Sequence, residues 1–562
     1  MNFQLISETL LKRTKSRCPV CHAECPAEVW KVGDEKRQRV FLRRTCAEHG
    51  GAEVCIASDA RFYWLAQGDP QNACCGGNAC SASDGAVRGT LGRNAAGSAG
   101  FQPAPSGILP DGRDGALQHE GANEPRAVSR RQDAGDGGLE ARAPLDSRVA
   151  PFETLSTCLA LIEIVNSCNL ACPTCFADSP RSTAVDAVPL ADLQRRIQGV
   201  IDRKGGIEIL QLSGGEPTLH PQFAELLAWL HANPGIDYVL LNTNGVRLAH
   251  DDAFLDQLGK TFRYGKFQLY LQFDGPQEAG QRTLRGADLR ATRRRAIERC
   301  GALNIPITLA MTVTPENLAQ VWAAVEFGLA YPNIRGVAFQ PMFTSGRVGG
   351  NDEWRMTNDE RGPKSEVDFA PADRHSSSVI RHLPPRLNTA DIILAAVEQA
   401  AGRLRYEDFT PLPCGDPNCA TIGYLLKTPD GQTRSVSEFI DFAKVQGFLR
   451  DKVRYSLEDL LQCGCESEPL GAVLKEFELN ETNTFRLFIK PFMDAGTWDE
   501  DRIDRCCTHV IRPDGKLDSF CRYYSGFGTD DASPLAGAFK KPVILSEVPG
   551  GRRRAGTPSK DL

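Results

Sequence analysis

The stretch Cys168-Asn169-Leu170-Ala171-Cys172-Pro173-Thr174-Cys175 decides the fold prediction for this chain. It directly follows the apolar run Leu159 to Val165, which places the three cysteines on a loop at the carboxyl end of a predicted strand. Three closely spaced thiolates can hold three irons of a 4Fe–4S cube and leave the fourth iron open. Zinc usually takes four protein ligands from two knuckles, and this loop offers three. The loop therefore predicts a cluster with an open iron, the alternative being three cysteines brought together by chance.

A second motif follows the next predicted strand. Ile207 to Leu212 runs into Ser213-Gly214-Gly215-Glu216-Pro217-Thr218. Paired glycines let a backbone approach a ligand closely, and a carboxylate beside them can accept a hydrogen bond from an ammonium group. A plain turn would explain the glycines alone. Their position behind the cysteine loop favours a ligand site.

Alternating strand and helix signals continue along the chain. The further apolar runs are Tyr238 to Leu241, Gln268 to Phe273, Ile305 to Val313 and Ile334 to Phe339. Helical spacing fills the stretches Leu190 to Val200, Phe223 to His231, Arg290 to Leu303 and Leu318 to Leu329. Strand then helix, repeated about six times, predicts an α/β fold with an incomplete parallel (β/α)6 barrel. In such folds the chemistry gathers at the carboxyl ends of the strands, where both motifs fall.

These motifs, in this order, resemble the radical S-adenosylmethionine superfamily. The third and fourth strands lead into Asn242-Thr243-Asn244-Gly245 and Asp274-Gly275, as that superfamily's strands do. The resemblance implies that Cys168, Cys172 and Cys175 hold a 4Fe–4S cluster whose open iron chelates S-adenosylmethionine. One-electron reduction then releases a 5′-deoxyadenosyl radical.

The resemblance also implies cofactor-binding roles for residues at the strand ends. Ser213, Gly214, Gly215 and Glu216 would orient the methionyl end of S-adenosylmethionine. Candidates for contacts with the rest of that cofactor are Asn242, Asn244, Gln272, Asp274 and Arg285. Ordinary loop polarity is the alternative for each of the last three.

The N-terminal cysteines have zinc-ribbon spacing. Cys18-Pro19-Val20-Cys21 and Cys46-Ala47-Glu48-His49 form two knuckles, separated by strand-like segments at Val29 to Val32 and Arg39 to Arg43. Cys18, Cys21, Cys46 and His49 are therefore predicted to bind zinc or a mononuclear iron. Cys25 and Cys55 are spare thiols that could replace His49, and a segment without metal is the alternative.

A C-terminal group of cysteines follows a predicted amphipathic helix, Asn388 to Arg403, with Thr389 as a possible cap. The candidate ligands of a second, fully capped 4Fe–4S cluster are Cys414, Cys419, one of Cys506 and Cys507, and Cys521. A free-thiol core or a zinc site is the alternative.

Composition narrows the classes of function. The chain has 562 residues, which predicts more than one domain, and its net charge of −6 argues against a nucleic-acid partner. No apolar run approaches the ~20 residues that a spanning helix needs, and the first residues lack a signal-like pattern. Twenty cysteines in such a chain predict metal thiolates in a reducing cytoplasm.

Changes in composition along the chain also predict its division into domains and connecting segments. The predicted units are a ribbon (1–73), a core (151–347) and a C-terminal cluster domain (385–527), with a disordered linker (74–150), a mobile loop (348–384) and a disordered tail (528–562).

The combination of ribbon, cysteine loop and C-terminal cysteines resembles a narrower group, the class D methyltransferases, whose members are linked to pterin methylation and, in archaea, tetraether lipid synthesis. One departure matters. Ala143, Ser147 and Ala150 stand where the group has a further C-x3-C-x2-C. That cluster is absent unless Cys74, Cys75 and Cys80 supply it.

The predicted function is therefore that of a radical enzyme which abstracts hydrogen from an unactivated carbon, for methyl transfer or C–C bond formation. Its expected partners are a small-molecule substrate (pterin-like) or a lipid, and an electron donor such as flavodoxin or ferredoxin. A degenerate metal-binding paralogue or scaffold without radical activity is the alternative, motivated by the lost cysteines.

Overall fold

The structure, a computed structural model, describes the chain in several stretches. These are residues 7–34, 37–65, 157–348, 381–383, 385–412, 415–428, 432–438 and 484–527. The predicted linker and tail lie outside the described residues, as do Cys414 and almost all of the predicted loop 348–384.

The N-terminal segment forms an antiparallel sheet. Its strands are β1 (Ser7–Arg17), β2 (Glu24–Gly33), β3 (Gln38–Cys46) and β4 (Gly50–Ala57), hydrogen-bonded in that order. The two predicted strand segments lie within β2 and β3. β1 was not predicted, because its charged and polar residues hide the alternation on which strand prediction depends.

Six consecutive parallel strands form the centre of a second, larger sheet, as the sequence predicted. They are β5 (Leu159–Val165), β6 (Ile207–Gly214), β7 (Ile236–Thr243), β8 (Phe267–Gln272), β9 (Ile307–Val313) and β10 (Ile334–Pro341). Each pairs in parallel with the next. Most of their residues are buried, as expected for strands covered on both faces.

Helices connect these strands. They are α1 (Leu190–Lys204), α2 (Phe223–Ala232), α3 (Val246–His250), α4 (Asp252–Thr261), α5 (Glu278–Arg285), α6 (Arg290–Ala302) and α7 (Val321–Leu329). In α1 the buried residues Leu193, Ile197, Val200 and Ile201 recur at helical spacing and face the sheet. Four of the helices coincide with predicted ones, whereas α3, α4 and α5 are too short or too polar to be predicted by apolar spacing.

Six strands of the C-terminal segment continue the same large sheet at both edges. They are β12 (Phe409–Pro411), β13 (Thr421–Lys427), β14 (Thr433–Ser435), β15 (Thr484–Ile489), β16 (Thr508–Ile511) and β17 (Leu517–Ser519), while β11 (Arg381–His382) belongs to the N-terminal sheet. β15 pairs in parallel with β10, β16 pairs in parallel with β5, and β11 adds to β4 of the ribbon. An open parallel sheet leaves backbone groups unpaired at both edges, and these strands satisfy them.

The two faces of the large sheet have different neighbours. Because side chains alternate along a strand, Leu210, Leu212 and Leu241 pack against the helices in the main core. Ile209 and Leu240 lie on the opposite face, in a second apolar cluster with Ala338, Ala420, Ile422 and Phe488. This second face lines the site described below. Within the part of the chain that the structure describes, no helix has the length and apolar character needed to cross a bilayer.

Helix α8 (Thr389–Gln399) is capped by Asn388, the residue before it, so the suggestion of Thr389 as the cap was wrong. The Asn388 side-chain oxygen accepts from the backbone N–H of Ala390 at 3.0 Å and of Ser58 at 3.2 Å. Asp391 in turn accepts from the Asn388 N–H at 2.9 Å. Asn388 has extended backbone angles, whereas Thr389 is already helical, so only Asn388 can serve as the cap.

The substitution Asn388→Ala is expected to lower the free energy of unfolding by about 1–2 kcal/mol, because it removes this cap and the bond to Ser58. Thermal denaturation compares it with Gln222→Ala, since Gln222 precedes α2 without a side-chain cap bond. Equal melting temperatures for the two variants would contradict the assigned cap.

Candidate functional site

The cysteine loop leaves the carboxyl end of β5 and is held at both ends by backbone hydrogen bonds. The Cys168 N–H donates to the Pro180 carbonyl at 3.0 Å, and the Ser182 N–H donates to the Cys168 carbonyl at 3.1 Å. At the other end, Cys175 and Arg347 exchange two backbone bonds of 2.8 and 2.9 Å. All three predicted cysteines line one cavity. Within the loop the Leu170 N–H donates to the Cys168 sulfur at 3.4 Å, a contact that suits a cluster thiolate.

Arg347 fastens the loop with its side chain as well. Its Nε donates to the Cys172 carbonyl at 2.9 Å, and its Nη2 donates to the Ser179 carbonyl at 3.0 Å. An ion pair of 3.1 Å to Asp178 completes the set. Sequence reasoning missed Arg347. The available signal was its position shortly after the sixth strand, at the end where functional polar residues collect.

Gly214 and Gly215 bring the end of β6 against the start of the cysteine loop. The Gly215 N–H donates to the Val165 carbonyl at 2.8 Å, and the Glu216 N–H donates to the Ser167 carbonyl at 3.0 Å. A Cβ on Gly214 would lie 2.1 Å from the Val165 oxygen, and one on Gly215 would lie 2.1 Å from the Ser167 oxygen. The glycines therefore permit a close approach of the chain to itself, and both also line the cavity.

The Glu216 carboxylate joins the ends of β6 and β7. Oε1 accepts from the hydroxyls of Thr218 at 2.7 Å and Thr243 at 2.8 Å, and Oε2 accepts from the Asn244 N–H at 2.8 Å. Burial raises the pKa of Glu216, and these donors oppose that effect. Oε2 keeps capacity for one further donor, since a carboxylate oxygen has two lone pairs.

The two asparagines after β7 differ in their partners. Asn242 donates from Nδ2 to the Ser213 hydroxyl at 3.2 Å. Asn244 donates to the Asn169 side chain at 2.7 Å and lies 3.9 Å from the Cys168 sulfur. Asn242, Asn244 and Ser213 all line the cavity, and their binding to a cofactor stays a prediction.

Asp274 and Arg285 form a buried ion pair under the cysteine loop. Arg285 donates to both carboxylate oxygens, at 2.7 and 2.8 Å, and also to the Thr312 hydroxyl at 3.1 Å. Burial acts to raise the pKa of Asp274, but the charge and hydrogen bonds of Arg285 outweigh it and hold the pKa below its ordinary value. Burial raises the pKa of the nearby Cys172 thiol, and the positive charge of Arg285 opposes this.

Arg285 and Gln272 line the cavity, whereas Asp274 does not and is fully buried. Asp274 therefore acts on the cavity through Arg285. The Gln272 side chain accepts from Arg293 at 2.8 Å, so Gln272 is also fixed from behind.

The cavity has a volume of about 240 Å³ and is open to solvent, and its lining changes in polarity along the strands. Four of the strands carry an apolar cavity-lining residue followed by a polar one nearer the carboxyl end, while Glu208 near the start of β6 and Lys490 also line the cavity. The cavity-facing pairs in that order are Ile209 and Gln211, Leu240 and Asn242, Tyr270 and Gln272, and Ala310 and Thr312. The cavity thus has a polar end around the cysteine loop and an interior lined mainly by apolar side chains.

The ribbon ligands converge as predicted. The four ligand atoms of Cys18, Cys21, Cys46 and His49 all lie within 4.8 Å of one another, which fits one tetrahedral ion. His49 Nδ1 is 3.7 Å from the sulfurs of both Cys18 and Cys46. The spare thiols Cys25 and Cys55 are outside this group of ligand atoms.

The described C-terminal thiols are near enough to one another to influence each other's pKa. Burial raises the pKa of the thiols of Cys419, Cys506 and Cys521, and each of these is also affected by the charges of neighbouring thiols. The nearby cations Arg502 and Lys490 oppose the shift at Cys419 and Cys521. Cys507, Lys490 and Thr508 line the same cavity as the cysteine loop, and the Cys507 carbonyl accepts from the Cys158 N–H at 3.0 Å.

Two family models match this chain. Residues 162–328 match the radical SAM superfamily, and residues 10–58 match the HMPTM N-terminal zinc ribbon domain. A 7,8-dihydro-6-hydroxymethylpterin dimethyltransferase of Methanocaldococcus jannaschii is 23% identical over 91% of this chain and 93% of that protein. A GTP 3′,8-cyclase of Chlorobaculum tepidum is 38% identical, but over only 17% of this chain and 28% of the cyclase.

Among solved structures, SuiB of Streptococcus suis bound to S-adenosylmethionine is similar over 35% of this chain and 44% of its own, at 17% identity. Its TM-score of 0.29 is too low to support an argument.

Gly215→Ala is expected to reduce stability by about 1–3 kcal/mol and to lower iron binding by the cysteine loop, because the new methyl group would displace Ser167. The matched control is Gly199→Ala in α1, where the added Cβ meets only the flexible end of Arg203. Denaturant unfolding and iron analysis measure both effects. Normal iron binding by Gly215→Ala would show that this backbone contact is dispensable.

Asp274→Asn is expected to lower the free energy of unfolding by about 3–5 kcal/mol, because it leaves the buried Arg285 charge without a counter-charge. Glu278→Gln is the control, since its partner Arg282 is 63% exposed and such pairs contribute about 1 kcal/mol or less. Urea unfolding midpoints measure the loss of stability in each variant. Equal losses of stability in the two variants would contradict the role assigned to Asp274.

Proposed function

We propose that this chain, a radical S-adenosylmethionine enzyme, cleaves S-adenosylmethionine reductively and abstracts hydrogen from an unactivated carbon of a substrate in the barrel interior. One observation carries the proposal. The cysteine loop and the polar strand ends surround one end of a cavity whose interior is apolar. An enzyme of this kind needs a polar cofactor site next to a dry site for the substrate.

The residues at the polar end suit a 4Fe–4S cluster and S-adenosylmethionine. Cys168, Cys172 and Cys175 would hold three irons of the cluster, which supplies the electron for cleavage of the cofactor. The remaining lone pair of Glu216 Oε2 would accept a hydrogen bond from the methionyl ammonium. The backbone at Gly214 and Gly215 would lie close to the same group. Ser213, Asn242, Asn244 and Gln272 offer hydrogen bonds to the remaining polar groups, and Arg285, fixed by Asp274, offers a cation to the carboxylate.

The substrate would occupy the apolar interior between Ile209, Leu240, Tyr270 and Phe488. These side chains exclude water from a reactive carbon. The similarity to the Methanocaldococcus jannaschii 7,8-dihydro-6-hydroxymethylpterin dimethyltransferase supports a pterin-like small molecule over a lipid. Methyl transfer and C–C bond formation both start from the same abstraction, and an electron donor such as flavodoxin or ferredoxin would supply the reductant.

The C-terminal thiols would hold an auxiliary 4Fe–4S cluster. The proposed ligands are Cys419, Cys506 or Cys507, and Cys521, with Cys414 as the fourth outside the described residues. The influence of Cys419, Cys507 and Cys521 on the pKa of Cys506 supports this set. Arg502 and Lys490 would balance part of the negative charge of a thiolate-bound cluster. The ribbon would bind zinc or one iron at Cys18, Cys21, Cys46 and His49.

A metal-binding paralogue without radical activity is the second candidate, motivated by the absence of thiols at Ala143, Ser147 and Ala150. The complete cysteine loop and its glycine contacts favour the active enzyme.

Anaerobically reconstituted protein is expected to form 5′-deoxyadenosine when dithionite and S-adenosylmethionine are added, and Cys172→Ala is expected to form none. Liquid chromatography with mass detection measures the product. Cys300→Ala is the control, because Cys300 is buried in α6 away from the cavity lining. Product formation that survives Cys172→Ala would overturn the assignment.

Metal analysis is expected to find about eight cluster irons, from two cubes, and one zinc or lone iron per chain. About twelve cluster irons would mean that Cys74, Cys75 and Cys80 build a third cluster. About four would mean that the C-terminal thiols hold none.

A further inference from the structure

The ribbon is joined to the C-terminal segment by buried polar contacts. Arg44 on β3 is 2% exposed and donates to the carbonyl oxygens of Ala495 at 2.9 Å and Gly496 at 2.5 Å. Ser16 at the end of β1 is fully buried and donates to the Trp498 carbonyl at 2.6 Å. Residues 495–498 therefore depend on the ribbon for hydrogen-bond donors that water cannot replace.

Charged contacts extend this junction towards the thiols. Lys12 on β1 makes ion pairs of 2.8 Å with both Asp499 and Asp501, and Thr14 donates to Asp499 at 2.7 Å. Asp501 lies in α9 (Glu500–Asp504), which leads directly into Cys506 and Cys507. One turn of helix thus separates the ribbon contacts from two of the clustered thiols.

A second contact joins the N-terminal segment to the loop that carries Cys419. Trp64, which follows the ribbon, exchanges two bonds with the Asn418 side chain, at 3.0 and 2.6 Å. Asn418 is the residue before Cys419. Arg502 from α9 donates to the Asn418 carbonyl at 3.0 Å and lies 3.8 Å from the Cys419 sulfur.

The ribbon also contacts the end of the segment that carries Cys521. Phe527, beyond Cys521, packs edge-on against His22 of the first knuckle at 5.3 Å and against Trp498 at 5.0 Å. Arg17 lies over the Phe527 ring at 5.5 Å. The N-terminal segment therefore touches all three stretches that bring the described C-terminal thiols together.

We propose that the N-terminal ribbon is a clamp that positions the C-terminal thiols, with Arg44 as the principal positioning residue. Arg44 acts through residues 495–502 and touches neither the cysteine loop nor a thiol of the C-terminal group. The ribbon residues that contact the C-terminal segment are close in sequence to the proposed metal ligands. Ser16 and Arg17 directly precede Cys18, and Arg44 is two residues before Cys46. A metal that folds the ribbon therefore also fixes the clamp. The inference goes beyond the proposed enzyme function and concerns that function only through the auxiliary cluster.

Thiol labelling in the iron-free full-length protein tests the clamp. Arg44→Met is expected to raise the rate of iodoacetamide labelling at Cys419, Cys507 and Cys521 roughly tenfold, the factor that about 1.4 kcal/mol of opening free energy produces. Labelling at the cysteine loop and at Cys300 should not change. Mass spectrometry of the digested protein gives the rate at each cysteine. Arg44→Lys, which keeps a donor and a charge, should restore part of the protection.

Arg43→Met is the matched control. Arg43 is the neighbouring residue on β3, but both of its ion pairs, to Glu8 and to Glu53, lie within the ribbon. Labelling of the C-terminal thiols should be unchanged in this variant. Equal labelling in Arg44→Met and Arg43→Met, or faster labelling of all cysteines including Cys300, would overturn the clamp.

If Arg44→Met does not fold, Asn418→Ala tests the contact between Trp64 and Asn418. This variant is expected to expose Cys419 in the same labelling assay.

Reconstitution with iron separates the clamp from the proposed auxiliary cluster. Wild-type protein without iron at the C-terminal thiols would contradict the auxiliary cluster, while the labelling contrast would still decide the clamp. With the cluster present, Arg44→Met should lose about four irons per chain, the content of one cube.

Discussion

The contact between two backbones, at Val165 to Ser167 and at Gly214 to Glu216, is the constraint on which the site depends. Carbonyl groups at the start of the cysteine loop accept from N–H groups at the end of β6, at 2.8 and 3.0 Å. No side chain larger than hydrogen fits at either glycine. The position of three thiols is thus set by parallel strand pairing that extends past the strand ends, which gives the loop the rigidity of the sheet.

A gradient of polarity along four of the central strands gives the cavity a polar end, where we propose the cofactor binds, and a more apolar interior, which we propose for the substrate. The same alternation that buries Leu210 and Leu241 against helices turns Gln211 and Asn242 inward. Polar groups near the strand ends are paired with one another, as Glu216 is with Thr243, so their burial is compensated. Preorganised polar groups beside an apolar interior are what radical chemistry requires, because water must be excluded while a charged cofactor is bound.

Sequence alone predicted the order of the parallel strands, the place of the cysteine loop and the grouping of Cys18, Cys21, Cys46 and His49, because apolar runs and short cysteine spacings are local signals. It did not predict that the C-terminal strands extend both edges of the large sheet, since the pairing of β16 with β5 joins residues distant in sequence. Arg347 and Arg44 were missed for the same reason. Each fixes a segment far from it along the chain, and nothing in the neighbouring residues marks either as special.

Electron paramagnetic resonance of the reduced protein tests the central claim most directly. Cys419, Cys507 and Cys521 would be changed to alanine together, so that one cluster remains, and spectra would be recorded with and without S-adenosylmethionine. If the cysteine loop holds a cube with an open iron, adding S-adenosylmethionine must change the g values of its signal, because the cofactor then becomes a ligand. An identical spectrum in both samples, or the absence of a cluster signal, would contradict the account.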